Sequence, residues 1–328
     1  MPDGSRAGRG RLVVLYVALV GFWGSTFLWV EIALDSTGPF VISAVRLMVG
    51  ALVVLVFIWH GGGGRRAEHS WAALRPWAGR GMLLALLAAA APGVLLAFAQ
   101  QEISSGTASI VNATAPLWTV VIAFALVRGR REGRVGGARL AGLLVGLVGV
   151  GVLVGEAPSA SELKGELFVV AVAFIYSTGG VYAQRRFALA PPYAAALFCT
   201  AGAALYSLPF GVAGLVQDPP TAGDLAAIVA LGVLSSGLAY VIYFELIREL
   251  GATRALTVTY LQPVVAILLG VIVLGEAIRA LHLVGLALIL LGVAAVNGQL
   301  PRRPIAAVPA VPAGDPPRIE EEPCPAPR

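Results

Sequence analysis

The feature that most constrains this chain is a series of long apolar stretches with few charged side chains. About 20 mostly apolar residues are needed to cross the hydrocarbon core of a bilayer. Charged groups are costly at that depth, so they mark the ends of the stretches. The sequence therefore predicts ten transmembrane helices, at residues 12–34, 39–59, 80–99, 105–127, 138–155, 166–184, 191–215, 225–245, 252–275 and 281–298.

The composition excludes several classes of protein. Only 12% of the residues are charged and 58% are hydrophobic, whereas about a quarter of the residues of a soluble domain are charged. An ordinary soluble enzyme and a disordered protein are therefore excluded. The excess of basic residues does not indicate a nucleic-acid partner, because these residues stand in short runs between the apolar stretches. We expect an all-α polytopic membrane protein that is surrounded by lipid.

The basic residues are divided unequally between the two sides of the predicted membrane. If the N-terminus is cytoplasmic, 20 of the 23 Lys and Arg residues fall on the cytoplasmic side. Lys164 and Arg279 fall on the outer side, and Arg46 alone lies inside a span. Cytoplasmic loops of membrane proteins carry such an excess of Lys and Arg. Because Lys164 is also the only lysine, a bias typical of GC-rich bacterial genes, the sequence predicts a multi-pass bacterial inner-membrane protein with both termini cytoplasmic.

Two short patterns each occur twice along the chain. An aromatic residue followed by three small or polar residues occurs within residues 22–26 of the first span and within residues 175–179 of the sixth. Polar residues precede Pro116 in the fourth span and Pro263 in the ninth. The repeat unit would hold five spans, and because five is odd the second copy would be inverted. The alternative is that Gly, Ser and Pro recur only because membrane helices tolerate them and pack through them.

The sequence thus predicts a fold of ten transmembrane helices arranged as two inverted five-helix repeats. The predicted divisions are a cytoplasmic N-terminus at 1–11, a first repeat at 12–155, an outer linker at 156–165, a second repeat at 166–298 and a disordered cytoplasmic tail at 299–328. The tail is rich in proline and has too few apolar groups to offset the entropy of ordering. Inverted repeats place a binding site near mid-membrane, between the two halves.

Polar residues recur at three- and four-residue steps in the fourth, sixth, eighth and ninth spans, so they share a face of each helix. Pro116 and Pro263 are predicted to break their helices, because proline removes a backbone donor that lipid cannot replace. The alternative is that Ser and Thr bond their own helices and the polar faces only seal helix contacts. The predicted binding residues are Trp23, Thr26, Asn112, Trp118, Tyr176, Ser177, Tyr240, Tyr243, Thr259 and Gln262.

Several motifs stand in a characteristic order. They are Gly232 to Tyr243, Leu250-Gly251-Ala252-Thr253-Arg254-Ala255, Gln262-Pro263 and Leu274-Gly275-Glu276, with Trp23-Gly24-Ser25-Thr26-Phe27 and Arg46 in the first half. Together they resemble an EamA-type transporter of the drug/metabolite transporter superfamily, over residues 12–298. The resemblance implies ten helices around a central cavity, and export or exchange of amino acids, metabolites or drug-like compounds.

The chain departs from that family's pattern in two places. The family often has a basic residue near the end of the first span, where this chain has Glu31. The Gly275-Glu276 that follows the ninth span has no counterpart after the fourth, where Arg128-Gly129 stands instead. The choice of substrate is therefore not carried over from the resemblance.

Glu31 and Arg46 are predicted to gate transport or to couple it to an ion. Glu31 lies about 4–5 Å and Arg46 about 10 Å below the outer boundary, at a rise of 1.5 Å per residue. Ionisable residues inside a membrane are paired or functional, so we predict that the two side chains pair. Two alternatives remain. Arg46 reaches the outer headgroups while Glu31 meets interfacial water, or Arg46 alone binds an anionic group of the substrate.

The sequence favours a secondary transporter that exports or exchanges small metabolites by alternating access. The alternative is a membrane scaffold or sensor without flux, for which repeated polar faces at mid-depth would have no use. An enzyme is not expected, because there is no His-Glu-x-x-His, no Gly-x-Ser-x-Gly and no nucleotide-binding loop. No cofactor or metal is expected. A small-molecule substrate and the lipid bilayer are the predicted partners, and a homodimer is left open.

Overall fold

The computed structural model describes residues 3–60, 74–127, 137–154, 159–187, 190, 192–250, 255, 257–277 and 280–297. These residues form ten helical segments, and no strand occurs within the described ranges. The predicted disordered tail at 299–328 lies outside the described residues. The first helix begins at Asp3, inside the segment predicted as an N-terminal extension.

We label the helical segments α1 to α10 in chain order. The first five are α1 (Asp3–Gly24 and Thr26–Ala33), α2 (Pro39–His60), α3 (Arg75–Trp77, Ala78–Ala85, Leu86–Ala90 and Ala91–Gln100), α4 (Ser105–Asn112 and Ala115–Val127) and α5 (Gly137–Val154). The others are α6 (Ala160–Arg186), α7 (Pro192–Leu197, Phe198–Gly202 and Ala203–Gln217), α8 (Ala222–Ala230, Leu231–Leu238 and Ala239–Leu250), α9 (Thr257–Tyr260 and Gln262–Leu274) and α10 (Ala280–Asn297).

Six of the segments contain a helix that is long and apolar enough to cross a membrane, namely α1, α2, α3, α6, α7 and α8. Two shorter apolar helices, Gln262–Leu274 and Ala280–Gly292, lie in α9 and α10. Large apolar side chains such as Trp59, Val216 and Ile272 remain exposed on the outside of the bundle. An all-helical membrane protein explains this exposure, because lipid would cover these groups.

Side chains of the loops fix where several helices begin. Ser104 accepts a hydrogen bond from the backbone N–H of Thr107 at the start of α4. At α6, Ser159 and Glu162 satisfy each other's backbone N–H groups, an arrangement known as a capping box. Because this cap stabilises the first turn, α6 begins at Ala160, inside the segment predicted as an outer linker.

Small residues let the helices approach closely. A Cβ atom on Gly292 of α10 would lie 2.5 Å from the carbonyl oxygen of Gly142 on α5. A Cβ atom on Gly232 of α8 would lie 2.8 Å from the carbonyl oxygen of Arg46 on α2. Contacts of this kind are typical of helix pairs in membranes, where small residues bring backbones together.

The helices of the two halves of the chain are interleaved. Segment α2 packs against α7 and α8, α3 against α6 and α7, and α1 against α8 and α9. Segment α4 packs against α6 and α9, and α5 packs against α10. All of these contacts join a helix that ends before residue 155 to one that begins after residue 159. The core between them is consequently built by both halves.

Candidate functional site

Five predicted site residues come together inside the bundle, and we call them the central layer. They are Trp23 of α1, Arg46 of α2, Tyr176 of α6, and Tyr240 and Tyr243 of α8. The ring of Trp23 lies 4.9 Å from that of Tyr243 and meets the ring of Tyr240 edge-on at 6.2 Å, measured between centroids. Aromatic pairs at these separations attract one another beyond simple area burial. The central layer therefore ties α1 to α8.

Arg46 is the charged member of the central layer. Only 6% of its surface is exposed, and its guanidinium lies beside the hydroxyl of Tyr176. The guanidinium also lies against Gly93 of α3, where any Cβ atom would overlap it. Its Nε atom is buried and has no hydrogen-bond partner. Arg46 is thus a buried cation whose hydrogen-bonding capacity is not used up by the protein.

An irregular turn of α3 forms one wall of the central layer. Residues Leu86–Ala90 form a π-helix, in which the backbone is wider than in an α-helix. The hydroxyl of Tyr240 donates a 2.7 Å hydrogen bond to the carbonyl oxygen of Ala88 in this turn. Gly179 of α6 approaches the backbone of Leu87 so closely that a Cβ atom would lie 3.1 Å away. Helices α3, α6 and α8 therefore meet at one point.

The structure does not pair Glu31 with Arg46, so the predicted ion pair is wrong. The amide nitrogen Nε2 of Gln100 donates hydrogen bonds of 2.9 Å to Glu31 Oε2 and to the carbonyl oxygen of Phe27. Arg46 instead extends toward Gly93 and Tyr176. The prediction failed because depth along the membrane was compared without the helix rotations that set the direction of each side chain.

A second carboxylate, that of Glu276, joins the end of α9 to the start of α4. Its two oxygens accept hydrogen bonds from the backbone N–H groups of Ser105 (2.9 Å) and Gly106 (3.0 Å). The first N–H groups of a helix have no partner within it, and they carry a partial positive charge. Gly270 leaves room for the carboxylate, since a Cβ atom there would lie 2.6 Å from Oε2. We call this contact the Glu276 clasp.

Besides Tyr240, two of the predicted binding residues have hydroxyls that bond to helix backbones. The Ser177 hydroxyl donates to the carbonyl oxygens of Ala173, on its own helix, and of Ala115, on α4. The Thr26 hydroxyl lies 3.5 Å from the carbonyl oxygen of Phe22 on the preceding turn. These bonds fit the alternative in which hydroxyl groups seal helix contacts, and Ser177 joins α6 to the start of the second half of α4.

The other predicted residues lie on the broken helices α4 and α9. Asn112 ends the first part of α4, and its buried Oδ1 atom has no hydrogen-bond partner. The ring of Trp118 packs edge-on against Phe174 of α6 at 5.6 Å. Gln262 is buried and Thr259 is partly buried, both on α9. Pro116 and Pro263 are each the second residue of the helix that follows the break.

Three residues that hold the helices together were not predicted from the sequence. Gln100 binds Glu31, Ser105 receives the Glu276 clasp, and the Ser235 hydroxyl donates a 2.6 Å hydrogen bond to the carbonyl oxygen of Phe22. Gln100 could have been noticed in the sequence, because it is a large polar residue at the end of an apolar stretch. Ser235 gave no signal, because a lone serine in a membrane helix more often bonds its own backbone. Ser105 gave none because it contributes its backbone N–H, which any residue at that position would offer.

The chain is similar to known transporters in sequence and to a solved structure in fold. Residues 11–155 and 163–298 each match the EamA-like transporter family. The uncharacterized inner membrane transporter YedA of Escherichia coli K12 is 27% identical, over 91% of this chain and 94% of its own length. A probable terminal-alkyne amino-acid exporter of Streptantibioticus cattleyicolor is 29% identical, over 89% and 96%. A solved crystal structure shares the fold with a TM-score of 0.61 at 24% identity, over 90% of this chain and all of that one.

Replacing Glu276 tests the clasp. Glu276→Ala leaves two helix-starting N–H groups without their acceptor, which we expect to lower the free energy of unfolding by about 1–3 kcal/mol. Glu276→Gln keeps one acceptor oxygen, so its loss should be smaller. The measurement is thermal or denaturant unfolding of the purified protein in detergent. Asp218→Ala, at an exposed carboxylate, is the control. Equal stability of Glu276→Ala and the control would show that the clasp does not stabilise the fold.

Proposed function

The chain belongs to the EamA-like transporter family, and we propose that it exports or exchanges small metabolites across a bacterial inner membrane by alternating access. The observation that carries this proposal is the central layer. It gathers aromatic rings and one cation from both halves of the chain, in the interior of helices that cross a membrane. Sites of secondary transporters lie in this position, at the interface of two repeats.

An inverted-repeat arrangement of ten membrane crossings is part of the proposal. It is supported by the two family matches, which divide the described helices into α1–α5 and α6–α10. If each helix of one set is matched to the helix in the same position of the other, the principal contacts also match. The contact of α2 with α8 corresponds to that of α7 with α3, and the contact of α3 with α6 corresponds to that of α8 with α1. The breaks in α4 and α9 also correspond. Each break is one or two residues long and is followed by a helix whose second residue is proline. Two similar halves of opposite orientation would allow the site to open to either side.

The two ends of the bundle carry different closing contacts. At one end, the Glu276 clasp joins α9 to α4, and Glu31 accepts from Gln100. At the other end, Arg11 and Glu245 form an ion pair of 2.9 Å between α1 and α8. We propose that the contacts at one end open while those at the other end stay closed. The clasp is part-buried and joins one carboxylate to two backbone N–H groups, so it would be the stronger of the two, since exposed ion pairs contribute little.

The class of substrate is proposed from the relatives and from the chemistry of the central layer. One relative is named as a probable amino-acid exporter, and YedA is named as an inner membrane transporter. Aromatic walls suit a substrate with an apolar part, and the polar hydroxyls and the guanidinium suit one that also carries polar groups. Amino acids and similar amphipathic metabolites combine both properties.

Flux through the central layer is tested with proteoliposomes. Trp23→Ala removes a ring that contacts both Tyr240 and Tyr243, so we expect the initial rate of exchange of labelled amino acids to fall about tenfold, which is about 1.4 kcal/mol. Trp59→Ala is the matched control, because 81% of Trp59 is exposed, and it should retain the rate of the unaltered protein. No exchange of any amino acid or amphipathic cation by the unaltered protein would contradict transport and favour a scaffold.

The proposed orientation places both termini in the cytoplasm, on the evidence of the arginine distribution. Cys324 should then react with a membrane-impermeant thiol reagent only after cells are opened. Cys199 lies in α7 with only 1% of its surface exposed, so it should not react in intact or in opened cells. The variant Cys324→Ser should therefore abolish labelling. Labelling of Cys324 in intact cells would reverse the orientation.

A further inference from the structure

We infer that Arg46 binds the carboxylate of the transported molecule, so the site takes small monocarboxylates whose remaining part is apolar or aromatic. The inference rests on the proposed function, because it assigns the ligand of the central layer. It also makes a claim of its own, that a negative charge on the ligand is required for binding.

Among the described residues, Arg46 has no counter-ion. The structure pairs Arg11 with Glu245 and Lys164 with Glu102, and neither pair involves Arg46. Glu31, on the neighbouring helix α1, is bonded to Gln100 instead. A cation inside a membrane protein is paired or functional, because an unpaired buried charge is costly. An anion from outside the protein would supply the missing partner.

The guanidinium of Arg46 is held in place while one of its donors, the Nε–H group, has no acceptor. It lies between Gly93 of α3 and the hydroxyl of Tyr176, while its Nε atom has no acceptor. A guanidinium presents a planar fork of donors that matches the two oxygens of a carboxylate. The free Nε–H is one arm of such a fork.

The residues of the central layer limit the charge and the shape of the ligand. Arg46 is the only cationic residue of the central layer, and Lys164 is engaged with Glu102 near the start of α6. One positive charge is balanced by a monocarboxylate, whereas a phosphate dianion would leave a buried excess of negative charge. The rings of Trp23, Tyr240 and Tyr243 lie together on α1 and α8, and they would receive an apolar or aromatic side chain.

The experiment compares acids with their amides. The full-length protein in lipid nanodiscs is titrated with the apolar and aromatic L-amino acids, with the matching monocarboxylates that lack the α-ammonium group, and with the carboxamide of each acid. Binding is followed by thermal stabilisation and dissociation constants. We expect at least one acid to bind and its amide to bind at least about tenfold more weakly, because a hydrogen-bonded charge pair is lost. Equal affinity of acid and amide, or no binding of any acid, would overturn the inference.

Variants locate the effect at Arg46. Arg46→Gln should weaken acid binding at least about tenfold while leaving amide binding unchanged, and Arg46→Lys should retain part of the affinity as a point charge. Gly93→Ala keeps the charge but displaces the guanidinium, so it should weaken acid binding as well. Gly151→Ala is the matched control, because a Cβ atom there meets nothing within 4 Å. Acid binding at full strength in Arg46→Gln would overturn the inference.

Flux measurements separate this inference from the proposed function. If proteoliposomes exchange the amides or amphipathic cations as fast as the acids, and Arg46→Gln does the same, the protein is a transporter and the carboxylate assignment is wrong. If acids bind through Arg46 but no compound is exchanged, the carboxylate site stands and the transport proposal fails.

Discussion

A guanidinium group buried among helices that cross a membrane constrains much of this structure. Arg46 needs a polar environment that lipid cannot provide, and its guanidinium lies beside the hydroxyl of Tyr176 on α6, against α3 and near Tyr240 of α8. Gly93 gives the group space, and Tyr176 gives it an oxygen atom. The close packing of α2 on Gly232 then fixes the backbone of Arg46 itself. The position of the Arg46 charge therefore depends on the packing of the two halves against each other.

Breaks in the helices impose a second constraint, because backbone groups inside a membrane need partners. The protein satisfies several of them with side chains of the other half. Ser177 of α6 donates to the carbonyl oxygen of Ala115 after the break in α4, and Glu276 accepts from the first N–H groups of α4. Ser235 of α8 donates to Phe22 near the break in α1. Irregular backbone is therefore tolerated at the interface between the two halves. This is the interface along which the halves would move during transport.

Much of the fold was predictable from the sequence, and much of the site was not. The charge-free stretches predicted helices where the described residues have them, and the patterns around Pro116 and Pro263 predicted breaks in α4 and α9. Pairing of Glu31 with Arg46 was predicted wrongly, because helical rise gives depth but not direction. The roles of Gln100 and Glu276 depend on which helix ends are neighbours. Tertiary packing decides which helix ends are neighbours, and the local sequence of a single span does not reveal this.

The most direct test of the account is a pair of distances measured between spin labels at the two ends of the bundle. One pair is placed across the Glu276 clasp, at Gln101 and Ala277, and the other at the opposite end, at Ala125 and Glu249. Cys199 and Cys324 are replaced by Ser, and pulsed electron paramagnetic resonance is recorded with and without the amino acid that is exchanged fastest. Alternating access of two halves predicts that one distance lengthens by several ångströms while the other shortens. Two distances that stay fixed under conditions of measured flux, or that rise and fall together, would contradict it.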